Sequence, residues 1–581
     1  MNQKEYKIKH SDAFTVSYTS RELADGIELV HVTADAHGDA AELELNISRQ
    51  IPDICVHALW SPLSYHGKGI MPNWGGYFGS CAMSGAPVMS ALAYDDSNRI
   101  TLACSDAKNS VRMHTGIIEE NGCLDMVILI HVGCAVSHYE TDIRIDTRTD
   151  KKFYECVADV TKWWESYDGY QPAAVPDDAK MPLYSAWYSY HQQVDVPAIV
   201  EECRQFARAG CRVLIVDDGW QTDDNARGYD YCGDWMPTSV KVPDMKAFVD
   251  AVHETGMKFM LWYSVPFVGE YTDAYKRFSD KMLYCASGKT HVLDPRFPEV
   301  REYLINLYRN AVLDWGLDGF KLDFVDSFRQ SAEVRDGMDY VSVYDAVDRL
   351  LKDVIAALRA LNPDILLEFR QSYIGPLMRT FGNMFRVGDC PCDSYTNRMG
   401  SLSLRMTSGN TAVHSDMVMW HYDETPEEAA FQLTGVLFAV PQISTKWHCM
   451  TEGQQKMVAA YTALWTKYRD TLLGGTMLYH GYANNFPYVS ARSEEVQVGA
   501  VYDGMCAYIE VPTDEIVLVN ASLAHRILII CEEKFAYTYE IRDCMGNVVG
   551  SGILSSDDGK QMIPVIEDVP TNGVVVMRRK H

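Results

Sequence analysis

Short apolar and alternating runs dominate the first part of the chain. They lie at residues 27–32, 41–47, 100–104, 126–132 and 139–145, and polar or glycine-containing segments separate them. This spacing is typical of antiparallel strands packed as a sandwich. A helix is predicted at residues 158–167. Segment 171–178 contains two prolines and is predicted to be a linker. We therefore predict an N-terminal β-sandwich domain over residues 1–175.

Strand-like and helix-like stretches alternate in the middle of the chain. Helical patterns, for example at residues 196–209, 298–315 and 427–439, separate eight strand candidates: residues 183–188, 212–218, 258–264, 319–324, 365–370, 383–389, 411–416 and 441–444. Such alternation predicts a parallel sheet with crossover helices. A doubly wound sheet is the alternative, but it rarely needs eight successive units. A (β/α)8 TIM barrel is therefore predicted over residues 176–474.

Short strand patterns return after the barrel, at residues 495–502, 506–511, 515–520 and 573–577. The segment from Asp543 to Asn547 has the composition of a hairpin turn. We predict a C-terminal antiparallel β domain over residues 475–581, packed as a small β-sandwich. The fold class is thus α/β, a TIM barrel with a β-sandwich on each side.

Composition limits the partners and the compartment. With 581 residues the chain needs more than one domain, and its formal net charge of −27 argues against nucleic acid and anionic membranes as partners. No apolar run approaches the roughly 18 residues of a membrane span, and the first residues lack a secretory apolar region. The 16 cysteines are scattered, which favours reduced thiols over disulfides. A cytoplasmic location is predicted.

Two predicted strands end in aspartates, and these carry the candidate chemistry. Asp323 follows Lys321-Leu, and Asp389 follows Val-Gly. Residues at the C-terminal ends of barrel strands form the active site in this architecture. A glycoside hydrolase needs at least a pair of carboxylates there, one to attack or to stabilise positive charge and one to transfer a proton. A single such aspartate is more often a helix cap or a turn residue, so the interpretation depends on both being present.

Other strand ends add polar and aromatic candidates. Carboxylates and cations hydrogen-bond sugar hydroxyls, and indole faces pack on the apolar side of a pyranose ring. The candidate substrate-binding residues are Trp187, Asp217, Asp218, Trp220, Trp262, Lys321, Arg370 and Asp416. Asp217 and Asp218 both reach a ligand only if the chain turns at Gly219. The tryptophans also fit a role in core packing, and this alternative stays open.

No metal or cofactor is predicted. The sequence lacks His-x-His, His-Glu-x-x-His and EF-hand spacings, and Cys390-Pro-Cys392 has no second cysteine pair at zinc-site spacing. A Gly-x-Ser-x-Gly elbow, a Walker loop and a dinucleotide fingerprint are also absent from the sequence.

These motifs resemble glycoside hydrolase family 36, the microbial α-galactosidases. Asp217-Asp218-Gly-Trp, Leu261-Trp262, Lys321-Leu-Asp323 and Gly388-Asp389 each stand where that family carries a motif. The resemblance implies a retaining, exo-acting α-galactosidase with Asp323 as nucleophile and Asp389 as acid/base. It also implies that the paired aspartates hold sugar hydroxyls, that the substrate is an α-linked carbohydrate, and that the protein associates as a homo-oligomer.

The chain departs from the family pattern around the expected sugar pocket. Val325 and Asp326 replace Asn and Arg after the nucleophile, and Arg370-Gln-Ser372-Tyr replaces a glycine-rich motif. Gly388 precedes the acid/base where Ser is usual, and the third-strand motif lacks its glutamates. Related α-sugars therefore stay open. The alternatives are an α-N-acetylgalactosaminidase, another α-glycosidase such as an α-glucosidase-like enzyme, and a non-catalytic carbohydrate-binding protein.

A mechanism with Asp323 as nucleophile and Asp389 as acid/base leads to two expectations about the pKa values of these residues. Lys321 should keep Asp323 ionised, because a nearby cation lowers the pKa of a carboxylate. The surroundings of Asp389 should raise its pKa, because a general acid must hold a proton near neutral pH.

Overall fold

The computed structural model describes residues 6–63, 67–504, 506–556 and 563–580. Within these ranges the N-terminal part forms two antiparallel sheets. In spatial order, one contains Lys7–His10, Ala41–Pro52, Cys123–Val136, Ser110–Ile118 and Phe78–Ser80. The other contains Phe14–Ala24, Ile27–Ala36, His138–Asp146, Asn98–Cys104, Val88–Leu92 and Ala58–Trp60.

The two N-terminal sheets share one apolar core. Val30 and Val32 of one sheet and Leu43, Leu45 and Ile47 of the other are buried in the same cluster. Alternate residues of a strand point to the same face, so these positions form the inner surfaces of a sandwich. The predicted sandwich is confirmed.

A helix, Phe153–Glu165, and a 3-10 turn, Asp177–Lys180, lead into the barrel. The helix was predicted to begin at residue 158 and begins five residues earlier. Its first turn is stabilised by the Glu155 carboxylate, which accepts a hydrogen bond from the Lys152 N–H at 2.8 Å. An acidic residue three positions after the cap is the sequence signal for this start.

Eight parallel strands close into a barrel, which confirms the predicted architecture. They are β1 Leu183–Ser185, β2 Val213–Val216, β3 Lys258–Ser264, β4 Gly319–Asp323, β5 Leu366–Arg370, β6 Met384–Arg386, β7 Ala412–Val418 and β8 Val440–Ile443. A helix follows each strand: α1 Val196–Ala209, α2 Met245–His253, α3 Pro298–Trp315, α4 Val343–Leu361, α5 Met378–Phe381, α6 Ser394–Thr407, α7 Pro426–Gly435 and α8 Glu452–Gly474.

Several connections between barrel elements carry extra structure. The β3–α3 connection contains a three-stranded sheet of Phe267–Gly269, Thr290–Leu293 and Met282–Ser287, with the helix Asp273–Phe278. Shorter turns are the helix Trp187–Tyr190 after β1 and the 3-10 turns Val325–Ser327 and Trp447–Cys449.

Three strands end two or three residues earlier than their apolar patterns predicted. β1 ends at Ser185, β2 at Val216 and β6 at Arg386. Asp389 therefore lies three residues beyond its strand. The loop is held where it turns, since the Gln371 side chain accepts a hydrogen bond from the Gly388 N–H at 3.1 Å. The candidate residues of β2 and β6 thus stand on the loops at the barrel mouth.

The C-terminal part forms a second two-sheet unit. One sheet contains Thr476–His480, Tyr488–Arg492, Val496–Val501, Glu515–Asn520, Val574–Arg579, Ala536–Arg542 and Val548–Ser555, and the other contains Cys506–Ile509, Arg526–Cys531 and Val565–Glu567. Both sheets contribute to one buried cluster. The residues predicted as a hairpin turn, 543–547, join Ala536–Arg542 to Val548–Ser555, which pair antiparallel.

The expectation that this C-terminal unit is wholly antiparallel is wrong. Val496–Val501 pairs parallel with Glu515–Asn520, and Cys506–Ile509 pairs parallel with Arg526–Cys531. The physical reason is a crossover. The chain leaves one sheet, adds a strand to the other and returns in its original direction, which produces a parallel neighbour.

All sixteen cysteines lie in the described part of the chain, and none of them is in a disulfide. No helix in residues 6–63, 67–504, 506–556 or 563–580 combines the length and the apolar character needed to cross a membrane.

Candidate active site

Asp323 is the last residue of β4 and is almost fully buried. Its Oδ1 accepts hydrogen bonds from the Phe324 N–H at 2.8 Å, the Arg370 Nε at 2.8 Å and the Tyr373 hydroxyl. Its Oδ2 accepts one from the Trp262 Nε1 at 3.0 Å. The two oxygens are unequal, because three donors fix Oδ1 while Oδ2 has a single indole donor.

The electrostatics of Asp323 favour the carboxylate form. Burial opposes ionisation, but the charges of Arg370 and Lys321 and the hydrogen bonds from Tyr373 and Trp262 outweigh it and hold the pKa well below its usual range. The expected effect of Lys321 is confirmed in direction, and Arg370 contributes more. An ionised carboxylate with one lightly hydrogen-bonded oxygen is equipped to act as a nucleophile.

Lys321 lies inside the barrel and is paired with Asp217. Its Nζ is 2.5 Å from Asp217 Oδ2, and the two side chains are 6% and 5% exposed. A buried ammonium without a carboxylate partner would be strongly unfavourable, so this pair is a fixed unit of the site. The pair joins β4 to the end of β2.

The chain turns at Gly219, directly after Asp217 and Asp218, which is the condition under which both were predicted to reach a ligand. Gly219 has φ of +113°, and a Cβ there would lie 2.4 Å from the Gln192 Cα. Both carboxylate oxygens of Asp218 accept amide hydrogen bonds, from the Gln192 Nε2 at 2.6 Å and the Gln221 Nε2 at 2.6 Å. Burial raises the pKa of Asp218 to about 6.

Asp389 projects from the loop after β6, and its side chain is 55% exposed. The Arg386 Nη2 donates to its Oδ1 at 2.9 Å. Partial desolvation at the barrel mouth opposes ionisation of this carboxylate, but the charges of Arg386, Lys321 and Arg370 outweigh it, and the net effect is a lowered pKa. The expectation that its surroundings raise the pKa is wrong, because the cations around the barrel mouth stabilise the anion.

Asp416, predicted to bind substrate, is instead engaged within the protein. It is fully buried on β7, and the Arg386 Nη1 donates to its Oδ1. Its Oδ2 accepts hydrogen bonds from the Tyr188 hydroxyl at 3.0 Å and from the Cys390 N–H at 2.7 Å. Both oxygens accept hydrogen bonds within the protein, so Asp416 anchors Arg386 and the start of the loop that follows Asp389, and its contact with a sugar stays a prediction.

The tryptophans divide into three roles. Trp220 is fully buried and donates its indole N–H to the Trp262 carbonyl at 3.0 Å, so the expectation that it contacts a sugar is wrong. Trp262 is 2% exposed and serves as a donor to Asp323. Trp187 is half-buried at the rim, with the Arg227 guanidinium 5.5 Å from its ring centroid.

The β5 loop brings further groups to the nucleophile candidate. Arg370 and Tyr373 both contact Asp323, and the Ser372 hydroxyl donates to Asp326 Oδ2 at 3.2 Å. Burial raises the pKa of Asp326. Arg370 is therefore in the site as predicted, and Asp326 adds a carboxyl group with a tendency to hold its proton close to Asp323.

Sequence reasoning missed several residues of this site: Tyr188, Gln192, Gln221, Tyr373 and Arg386. A signal existed for Arg386, because it lies inside the apolar run predicted as a strand at residues 383–389, where a charged residue is unfavourable unless it is paired. The glutamines and tyrosines had no comparable signal, since their partners come from distant parts of the sequence.

Among the described residues, no group of three or more His, Cys, Asp and Glu side chains is arranged to hold a metal ion. The titratable groups at the barrel mouth interact with arginine, lysine, tyrosine and tryptophan instead.

Comparison with known proteins agrees with the barrel assignment. Residues 175–372 match the family model named Melibiase, which confirms the predicted resemblance for that segment. The bifunctional α-galactosidase/sucrose kinase AgaSK of Mediterraneibacter gnavus is 31% identical over 203 residues, which is 32% of this chain and 20% of that protein. The α-galactosidase Mel36A of Lactobacillus acidophilus is 28% identical over 24% of this chain and 19% of that protein.

A third relative has a different name and sugar. The A type blood α-D-galactosamine galactosaminidase of Flavonifractor plautii is 25% identical over 174 residues, 26% of this chain and 15% of that protein. The matched segments thus span a fifth or less of each of these three relatives.

Solved structures extend the likeness to the whole chain. The α-galactosidase of Lactobacillus brevis has a TM-score of 0.64 at 13% identity, over 99% of this chain and 86% of that one. The α-galactosidase AgaA of Geobacillus stearothermophilus, solved with stachyose, has a TM-score of 0.64 at 12% identity, over 100% and 88%. At these identities the structures establish the three-part fold.

Proposed function

We propose that the protein is a retaining, exo-acting α-glycoside hydrolase, and specifically an α-galactosidase that releases terminal α-galactose from oligosaccharides or glycosides. One observation carries the proposal. Arg370 and Arg386 are paired neighbours on β5 and β6, and Arg370 donates a hydrogen bond to Asp323 while Arg386 donates one to Asp389. Two carboxylates held by adjacent strand ends are the arrangement that a glycosidase requires.

In the first step Asp323 attacks the anomeric carbon. Oδ2 is the attacking oxygen, because Oδ1 is held by three donors and Oδ2 by one. The bond to the leaving oxygen breaks, and Asp389 gives its proton to that oxygen, so that an alcohol and a glycosyl ester of Asp323 are formed.

In the second step water attacks the anomeric carbon of the ester. Asp389, now a carboxylate, takes the proton from water, and Asp323 leaves with its electron pair. Two inversions at one carbon give net retention. The cations around both groups favour the anionic leaving carboxylate and the anionic base of this step.

We propose that Asp217, Asp218 and Lys321 bind the sugar hydroxyls. All three are buried. Lys321 lies two residues before Asp323 on β4 and pairs with Asp217, and Asp218 follows Asp217 directly in the sequence. The Gln192 and Gln221 amides fix the orientation of Asp218. Paired carboxylates of this kind suit the axial 4-hydroxyl and the 6-hydroxyl of galactose.

The experiment is a panel of nitrophenyl α-glycosides carrying galactose, N-acetylgalactosamine, galactosamine and glucose. We expect the highest kcat/KM with the α-galactoside, and product NMR should show α-galactose released first. Asp323→Asn should lower turnover by at least three orders of magnitude with little change in thermal stability, since removal of a nucleophile eliminates the covalent route.

The matched control is Asp364→Asn, at an exposed aspartate just before β5, at the opposite end of the barrel. It should keep parent activity. Parent-level turnover by Asp323→Asn, or release of β-galactose as first product, would contradict the mechanism. Binding without turnover of every glycoside by the parent protein would indicate a non-catalytic carbohydrate-binding protein.

One finding supports α-N-acetylgalactosaminidase or galactosaminidase activity as a second candidate. A relative at 25% identity is named for galactosamine. The β5 loop, where this chain has Arg370, Ser372 and Tyr373, departs from the family's glycine-rich pattern and lies beside Asp323. Higher kcat/KM with the 2-amino or 2-acetamido sugar in the same panel would favour this candidate.

A further inference from the structure

Arg386 lies at the centre of a cluster of carboxylates under Asp389. It is 1% exposed and comes from the last position of β6. Its Nη1 donates to Asp416, its Nη2 donates to Asp389 at 2.9 Å, and its Nε lies 3.6 Å from Glu368 Oε1. One guanidinium is thus shared by three carboxylates from β5, β7 and the loop after β6.

The three carboxylates are held very differently. Asp416 and Glu368 are fully buried, and each accepts hydrogen bonds from other residues. Asp389 is 55% exposed on a loop. The guanidinium is anchored from below by the two buried acids, so its contact with Asp389 fixes the loop carboxylate relative to the barrel.

We propose that Arg386 is a positioning residue that holds Asp389 at the barrel mouth and sets the pH at which Asp389 carries its proton. The inference rests on the proposed function, because it concerns the acid/base of that reaction. A guanidinium presents parallel donors in a rigid plane, which lets one side chain reach an anchored and a mobile carboxylate together.

The charged and titratable groups that face Asp389 come from five places around the barrel. They are Tyr188 after β1, Lys321 of β4, Arg370 of β5, Arg386 of β6 and Asp416 of β7. Of the three cations, Arg386 alone donates a hydrogen bond to Asp389 among the contacts of the described residues. It is therefore the group whose removal changes the proton affinity of Asp389 most.

The sign of the effect follows from charge. A neighbouring cation favours the carboxylate, and its loss raises the pKa by about 1 to 3 units at contact distance. The general acid must be protonated in the free enzyme, so its pKa sets the alkaline limb of kcat/KM. Removal of the Arg386 charge therefore moves that limb to higher pH.

The experiment compares Arg386→Gln and Arg386→Lys in the full-length protein, with an α-galactosyl oligosaccharide and with nitrophenyl α-galactoside. We expect the alkaline limb for the oligosaccharide to rise by about one unit or more in Arg386→Gln. In Arg386→Lys a single ammonium cannot reach both Asp389 and Asp416. The limb should rise less, and kcat should fall on the order of tenfold to a hundredfold through lost alignment.

The nitrophenyl substrate separates acid assistance from general damage. Its leaving group needs little protonation, so glycosylation should be much less sensitive to Arg386 than cleavage of the oligosaccharide is. The matched control is Arg379→Gln. Arg379 is 2% exposed and pairs with Glu165 at 2.8 Å, away from Asp389, so its loss should lower stability and leave both pH profiles unchanged.

Two outcomes overturn the inference. An alkaline limb at the parent pH in folded Arg386→Gln is one, and if that variant fails to fold, a parent kcat for the oligosaccharide in folded Arg386→Lys takes its place. Equal loss on both substrates without a change in pH profile is the other, since it indicates a structural role only. A parent protein that cleaves no glycoside would overturn the proposed function, and this inference with it.

Discussion

The surroundings of the carboxyl groups at the barrel mouth shift their pKa values in opposite directions. Asp323 and Asp389 lie among cations that lower their pKa, whereas burial raises the pKa of Asp218 to about 6 and also that of Asp326. Groups with pKa values pushed apart are characteristic of sites that use both protonated and ionised carboxyls.

The pKa of Asp218 predicts a pH-dependent cost to stability. A folded-state pKa of about 6, against about 3.9 in the unfolded chain, means that the folded state binds more protons between pH 4 and 6. Stability therefore falls as pH rises through this window and levels off above it, by about 3 kcal/mol in total.

Asp218→Asn removes this titration. The free energy of unfolding of the variant minus that of the parent should become more positive by about 2 kcal/mol from pH 4 to pH 7 in denaturant titrations, because part of the titration lies below pH 4. Lost hydrogen bonds to Gln192 and Gln221 shift the difference equally at all pH values. Asp223→Asn, at an exposed site in the same loop, is the control and should give a flat difference. A flat difference for Asp218→Asn as well would refute the assignment.

Trp220 and Trp262 illustrate what sequence reasoning at this scale misses. Trp220 comes after the apolar run of the second predicted strand, and Trp262 lies within that of the third. Both were candidates for sugar contact. In the structure Trp220 packs against Trp235, Tyr263 and Trp315, while Trp262 turns its N–H toward Asp323. Trp220 lies beyond the end of β2, so the direction of its side chain depends on the turn that follows the strand. Trp262 lies within β3, and the partner of its N–H comes from another strand, which periodicity does not encode.

At the scale of secondary-structure elements the apolar patterns predicted most of the barrel. The sequence predicted β3, α1 and α3 to the residue. The two helices each have a proline in the first turn and a glycine at the C-cap, and β3 is one continuous apolar run. The boundaries of β6 and β7 were less accurate. In β6 the apolar pattern continues through Val387 into a loop that is held by side-chain contacts. The parallel strand pairs of the C-terminal unit were not predicted, because they depend on which distant strands become neighbours.

The β2–α2 connection depends on Gly219. Its φ of +113° and the 2.4 Å separation of a Cβ from the Gln192 Cα leave no room for a side chain. Gly219→Ala should lower the free energy of unfolding by more than 2 kcal/mol and reduce kcat/KM, because the turn that aligns Asp217 and Asp218 must shift.

Gly228→Ala is the matched control in the same connection. It has no atom within 4 Å of a built Cβ and no positive φ, so it should leave stability within about 0.5 kcal/mol and activity at the parent level. Thermal unfolding and kcat/KM measure both variants. Equal behaviour of the two would show that the turn does not constrain the site.

At the scale of the whole molecule the N-terminal sandwich is part of the barrel mouth. The Gly85 N–H donates to the Ser372 carbonyl at 2.7 Å, and the Ser84 and Ser372 hydroxyls lie 3.3 Å apart. Ser372 is in the β5 loop between Arg370 and Tyr373, which both contact Asp323. The sandwich therefore supports the loop that surrounds the nucleophile candidate.

Gly375→Ala tests this support. Gly375 has φ of +112°, and a Cβ would lie 2.5 Å from the Gly85 carbonyl oxygen. The variant should separate the sandwich from the β5 loop and lower kcat/KM on the order of a hundredfold through misplacement of Arg370 and Tyr373.

The control for Gly375→Ala is Gly337→Ala. It shares a positive φ, +90°, but its Cβ meets nothing closer than Phe297 at 3.6 Å. In both variants the free energy of unfolding should fall by about 1–2 kcal/mol, because alanine disfavours a positive φ. Only Gly375→Ala should lose activity. An unaffected kcat/KM in Gly375→Ala would show that the contact is not needed.

The contact between Ser84 and Ser372 spans 288 positions of sequence. Translation proceeds from the N-terminus, and domains generally fold as units in that order. The sandwich thus exists before the β5 loop leaves the ribosome, and the loop closes onto a surface that is already formed. A barrel transferred alone into another protein would therefore lack the surface that supports its β5 loop.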